Sequence, residues 1–140
     1  MIITPINNGI VIDHITAGKA MVLYDILKLS ELDCAVAILM NVDSEKMGRK
    51  DIIKIDKVFD LDFDAVGYID PGATVNIIRD GRLDKRKHLE LPQTVTGVIS
   101  CRNPRCITST EQELPQVFRL TDREKRIYRC IYCESKAKNH

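Results

Sequence analysis

The sequence predicts an α+β protein in two parts, and three observations carry that reading. Aliphatic, strand-like runs alternate with two helix-period segments as far as Pro92; a charge-rich stretch with few bulky aliphatics follows; and that stretch holds four cysteines grouped in two pairs. With 140 residues, 44% hydrophobic and 29% charged, the chain can bury a core as one ordinary domain or two small ones. Twenty-one basic against twenty acidic residues leave a net charge of +1, so the whole chain offers no strong field for nucleic acid or an anionic membrane. Any such partner would need a local patch.

The β-branched run Gly9 to Ile15 predicts a first strand, with Thr16 as the cap of a following helix. From Ala17 to Leu29, Ala20, Met21, Leu23, Tyr24 and Leu27 recur at three- and four-residue intervals, as one buried helical face requires. The apolar density of Cys34 to Asn41 predicts a strand central in its sheet, with Cys34 an inert core thiol. A polar loop over Ser44 to Lys50 leads to a partly exposed strand from Asp51 to Lys57. A shorter helix is expected over Asp62 to Ile69, stopped by Asp70, Pro71 and Gly72. Strands from Ala73 to Arg79 and from Arg82 to Leu91 then flank Asp80-Gly81, a pair suited to a two-residue hairpin turn. The order β-α-β-β-α-β-β reads as a ferredoxin-like antiparallel sheet with two helices on one face.

Residues 1–92 form the first predicted domain and residues 93–140 the second. Strands are expected over Thr94 to Ser100, Val117 to Leu120 and Arg126 to Tyr132. A segment this small and charged can hardly fold on apolar burial alone, and a metal is the usual substitute for core. Cys101-x4-Cys106 and Cys130-x2-Cys133 each close a knuckle, and four thiolates fill the tetrahedral shell that zinc prefers. A filled shell leaves no position for water or substrate, which makes the ion structural and the domain zinc-ribbon-like. Arg102, Arg105 and Arg129 sit beside ligands and are candidates to offset the charge of four thiolates around one divalent ion. The N-terminus has no signal-peptide pattern, and no apolar run approaches the roughly 18 to 20 residues needed to span a bilayer. The chain therefore reads as soluble and cytoplasmic, without a membrane partner.

Gly9-Ile-Val-Ile-Asp-His-Ile15, Met47-Gly-Arg-Lys-Asp-Ile-Ile-Lys-Ile55, Ala73-Thr-Val-Asn76, Leu91-Pro92 and the four cysteines at their spacing together resemble the regulatory chain of aspartate carbamoyltransferase, over nearly the whole length. The resemblance implies a non-catalytic subunit of pyrimidine biosynthesis. Its allosteric domain would bind nucleotide effectors such as CTP and ATP, and its zinc domain would grip the catalytic chain. It also implies a regulatory dimer within a dodecamer of six catalytic and six regulatory chains. Carried over by motif, the nucleotide site falls on Val11, Asp13, His14, Lys50, Lys54, Asn76, Ile78, Leu83 and Arg86, where Lys54 and Arg86 would neutralise phosphate and Asp13 would accept from ribose hydroxyls.

His14 either contacts phosphate or caps the strand end. The run Lys85-Arg86-Lys87-His88 also reads as a charged edge strand that guards against aggregation, and strand alternation lets only one or two of its members face a ligand. The sequence departs from the family pattern at Thr4 and Pro5, in the arm where backbone groups of Ile3 to Ile6 would read the base. Asn103, Arg105 and Glu134, at the two knuckles, are the expected contacts to a catalytic chain. The alternative is a zinc-ribbon nucleic-acid-binding module using Arg102, Arg105, Arg119, Arg123, Lys125, Arg126 and Arg129. Against it stand the interleaved acids Glu111, Glu113, Asp122 and Glu124 and the few aromatics available for stacking.

Overall fold

The computed structural model describes residues 7–138. The chain divides into two compact units, residues 1–90 and 91–140. In the first unit β1 (Gly9–Thr16), α1 (Ala20–Ile26), β2 (Val36–Ser44), β3 (Gly48–Ile55), α2 (Phe63–Ile69), β4 (Thr74–Arg79) and β5 (Arg82–His88) follow one another. The strands lie in the order β2-β3-β1-β4-β5, and every neighbouring pair is antiparallel. This is the ferredoxin-like βαββαβ arrangement with one strand added at the β4 edge.

Ile10, Ile12, Ile15, Ile53, Ile55 and Val75, alternating along the three inner strands, form one buried cluster with Ala20 and Leu23 of α1 and Val66 and Ile69 of α2. Both helices therefore cover the same face of the sheet. The added strand is joined through Asp80 and Gly81, whose φ values of 53° and 75° match the two positive dihedrals of a type I′ hairpin turn.

Four expectations change. The first helix begins at Ala20, not Ala17, because Gly18 turns the chain at φ 97°, and it stops at Ile26, before Lys28 adopts φ 54° and leads into a short 3-10 turn over Leu29–Glu31. Thr16 does not cap that helix: it ends β1, and its N–H and hydroxyl both donate to the Asp70 carboxylate, at 2.6 and 3.2 Å. The segment read as central is the edge strand β2, with Met40 56% exposed; β1 is the central strand, flanked by β3 and β4. Apolar density there reflects one covered face, which composition does not separate from two. Gly48, Arg49 and Lys50 belong to β3, and only Glu45 to Met47 separate it from β2.

In the second unit β6 (Thr94–Thr96), β7 (Val117–Asp122) and β8 (Ile127–Cys130) form a three-stranded antiparallel sheet. Phe118 and Tyr128 are its largest buried side chains, and Val95, Ile99 and Leu120 are buried with them. The Tyr128 hydroxyl donates to the carbonyl of Pro92. Strand β6 is shorter than expected because Gly97, at φ 73°, turns the chain. β8 ends at Cys130, where the second knuckle begins.

Candidate metal centre and candidate effector face

The four cysteines converge as their spacing predicts. Their Sγ atoms all lie within 4.8 Å of one another, with Cys101 to Cys133 at 3.5 Å and Cys106 to Cys130 at 3.7 Å. An ion bonded to four sulfurs at about 2.3 Å would set them about 3.8 Å apart at the corners of a tetrahedron, so the arrangement fits a closed shell of four thiolates. Such a shell cross-links the loop before β7 to the end of β8, and no ligand position is left for chemistry.

The charge of the shell is offset by nearby donors rather than by arginines. Backbone hydrogen bonds from Asn103 and from Thr108 reach Cys101 and Cys106, and those from Tyr132, Cys133 and Ser135 reach the second knuckle. Two hydroxyls join them: Thr108 Oγ1 lies 3.1 Å from Cys106 Sγ and Ser135 Oγ 3.3 Å from Cys133 Sγ. The Ser135 hydroxyl and N–H bring the Cys133 thiol down to about 6. Burial, only partly countered by Asn103 and reinforced by the neighbouring sulfurs, pushes Cys101 up to about 12. Arg102 and Arg105 are exposed, and Arg129 instead donates from Nη1 to the carbonyl of Glu134 at 3.0 Å.

Of the expected docking residues, Asn103 accepts the Arg105 N–H on its side-chain oxygen at 3.1 Å, and Glu134 sits at φ 64° in the turn after Cys133. The sequence reading missed the exposed apolar side chains of the knuckles, Ile107 at 51%, Ile131 at 47% and Tyr132 at 36%. Each directly follows a ligand or lies between two, a signal that was available.

On the sheet face away from the helices, strand register aligns Lys54, Val11, Asn76 and Arg86 in one row across β3, β1, β4 and β5. Arg86 Nε donates to Asn76 Oδ1 at 2.8 Å, while Lys85 and Lys87 fall on the helix side, where Lys87 Nζ sits 4.4 Å from the Phe63 ring centroid. One register step away, Ile78 pairs with Gly9 and Leu83, so these side chains share that face. In the other direction Asp13 Oδ1 meets Lys50 Nζ at 3.0 Å, with the two side chains only 24% and 17% exposed. Burial pushes the Asp13 carboxyl up, but the Lys50 hydrogen bond, the His14 N–H and the nearby positive charges outweigh it and hold it below its ordinary value.

His14 occupies a β-bulge at φ 56°, its N–H donates to Asp13 Oδ1 at 2.6 Å, and its buried Nδ1 has no hydrogen-bond partner among the described residues. Lys54 forms no ion pair among the described residues, and Arg86 is held only by the neutral Asn76. The face thus presents two uncompensated cations at opposite ends of a four-strand row. Thr4, Pro5 and the arm from Ile3 to Ile6 lie outside the described residues. No described helix is long and apolar enough to cross a membrane.

Comparison with known proteins gives a consistent result for both units. Residues 1–90 match the family described as aspartate carbamoyltransferase regulatory chain, allosteric domain, and residues 93–140 match its metal binding domain. The aspartate carbamoyltransferase regulatory chain of Clostridium tetani is 50% identical over 133 residues, covering 94% of this chain and 92% of that one. That of Clostridium acetobutylicum is 48% identical over 132 residues, covering 94% and 90%. That of Bifidobacterium longum is 43% identical over 138 residues, covering 99% of each. With both units matched by the family's two domains and relatives up to 50% identical over nearly the whole length, the chain belongs to the aspartate carbamoyltransferase regulatory chains, the non-catalytic subunits of that enzyme.

Proposed function

We propose that the first unit binds a nucleoside triphosphate effector such as CTP or ATP on its open sheet face, and that the second, holding one zinc ion, docks the catalytic chain. The row Lys54–Val11–Asn76–Arg86 carries the reading. Its two unpaired cations suit phosphate oxygens, Val11, Ile78 and Leu83 offer apolar surface to the nucleoside, and Asp13 with His14 supplies polar groups beside it. Zinc is the ion favoured by four thiolates at tetrahedral spacing. Free grouped thiols suit the reducing cytoplasm, where this biosynthetic enzyme would work.

Regulatory dimers that tie catalytic trimers into a dodecamer of six catalytic and six regulatory chains complete the reading. Effector binding would then bias a quaternary equilibrium by about 1 to 3 kcal/mol, provided the nucleotide binds the two states unequally. Calorimetric titration of CTP and ATP into the full chain tests the face: Lys54→Ala and Arg86→Ala are each expected to weaken binding about 10- to 100-fold, the worth of one charge-assisted contact. Unchanged affinity in both would remove the site from this face.

The docking half is tested by replacing Asn103, Arg105 and Glu134 together with alanine, which is expected to weaken assembly with catalytic chains at least tenfold in analytical ultracentrifugation. Full assembly by the triple variant would transfer docking to other residues, Ile107, Ile131 and Tyr132 first. The nucleic-acid reading loses two of its cations: Arg123 is spent on the Leu91 carbonyl and the Gln93 side chain, and Arg129 on the Glu134 carbonyl.

A further inference from the structure

Two β-bulges flank β3 at the same level. Between Ile12↔Ile53 and Ile15↔Asp51, β1 has two residues, Asp13 and His14, against Ile52 alone. Between Leu39↔Ile52 and Val42↔Lys50, β2 has Met40 and Asn41 against Asp51 alone. His14 and Asn41 take up the extra length at φ 56° and 59°, left-handed values that cost a non-glycine residue energy and persist only when the surroundings fix them.

Beneath them lies the side chain of Asp51, which holds the β2 bulge directly and β1 through the turn that follows it. It is fully buried on the helix side of the sheet, and its carboxylate collects three backbone amides from two segments. Oδ1 accepts from Asn41 at 3.0 Å, inside the β2 bulge; Oδ2 accepts from Gly18 at 2.9 Å and Ala20 at 3.2 Å, in the turn that carries β1 into α1. One strand position away Lys50 points to the opposite face, where it holds Asp13. A displacement of β3 at Asp51 is therefore a displacement of Lys50, and β1, tied to Asp51 through the Gly18 turn, carries Asp13 with it.

We propose that Asp51 is a positioning residue of the effector face: by holding the β2 bulge and the turn after β1 from beneath the sheet, it sets the Lys50–Asp13 pair in register for the ligand. This rests on the nucleotide reading above for its ligand but not for its mechanics. Asp51 cannot touch a molecule on the open face, so its effect must pass through the pair.

Asp51→Asn keeps the volume and one acceptor oxygen but turns the other into a donor, leaving either Asn41 or the Gly18 and Ala20 amides unanswered. The test is a double-mutant cycle with Lys50→Met in the full chain, read by CTP affinity and by the titration of the Asp13 carboxyl in NMR. The expected result is that Asp51→Asn weakens CTP about tenfold, that the double variant binds no worse than Lys50→Met alone, and that Asp13 in Asp51→Asn titrates at a higher pH than in the parent. Additive losses in the cycle, or an unchanged Asp13 titration in a folded Asp51→Asn protein, would overturn it. If the parent chain binds no CTP, the nucleotide reading fails, and the Asp13 titration still decides whether Asp51 sets the pair.

Discussion

Stripping the metal from the full chain with a strong chelator is expected to unfold residues 93–140 and to leave the sheet of the first unit standing. Among the described residues, the buried apolar side chains of the second unit are Leu91, Val95, Ile99, Phe118, Leu120 and Tyr128, together with two of the ligands themselves, Cys106 and Cys130. A core that small leaves almost nothing once the backbone entropy of the unit is set against it, at about 1 to 2 kcal/mol per ordered residue. A structural ion in a comparable site supplies about 10 kcal/mol or more, which makes it the dominant favourable contribution. Without it the Cys101 and Cys106 knuckle has only the sheet to rest on, and the sheet has only three short strands.

Hydrogen exchange followed by mass spectrometry reads the two units separately. Protection of β7 and β8 should collapse on chelation, while that of β1, β3 and β4 should persist, because their cluster around Ile10, Ile12, Ile53 and Val75 holds no metal ligand. Protection of β7 and β8 that survived complete removal of the metal would mean that apolar packing suffices after all.

The second large effect is expected from Asp51→Ala, which should destabilise the first unit by about 3 kcal/mol or more in urea denaturation. Three amides lose their acceptor together, in a place where Asp51 is fully buried and at least one donor, Ala20, is buried with it. Each unanswered buried amide costs about 1 to 3 kcal/mol. Asp62 is the natural control. It caps α2 by accepting from Ala65 at 3.1 Å, but it is exposed, water can replace it, and its loss should cost only about 1 kcal/mol. If the two alanine variants proved equally mild, the Asp51 carboxylate would not be holding the β2 bulge and the Gly18 turn.

Features with short-range causes were legible in the residues. The four ligands follow from two tight spacings around Cys101, Cys106, Cys130 and Cys133, each closed by its own knuckle. The hairpin at Asp80-Gly81 follows from two residues that tolerate positive φ. The helix to Ile69 follows from local pattern, although Asp62, read as its first residue, is its N-cap. That Lys54, Val11, Asn76 and Arg86 lie in one row on one face is what a period of two along each strand would align.

Features that rest on pairing between distant segments were not. The cap of α1 comes from Asp51, more than thirty residues ahead, whereas a local reading selects Thr16, whose donors are taken by Asp70. β2 reads as a central strand by composition, and only the sheet order makes it an edge. Which member of Lys85, Arg86 and Lys87 lies on the face away from the helices depends on the bulge between Ile77 and Ile78, since one added residue reverses the face of all that follow. A chain encodes spacing and periodicity along itself, and these fixed the metal shell, the turns and the two-part architecture. Register across strands is set by side chains that meet only after folding, and it was left to that packing to bring Asp51 beneath the bulges, Arg86 to the open face and Lys50 to Asp13.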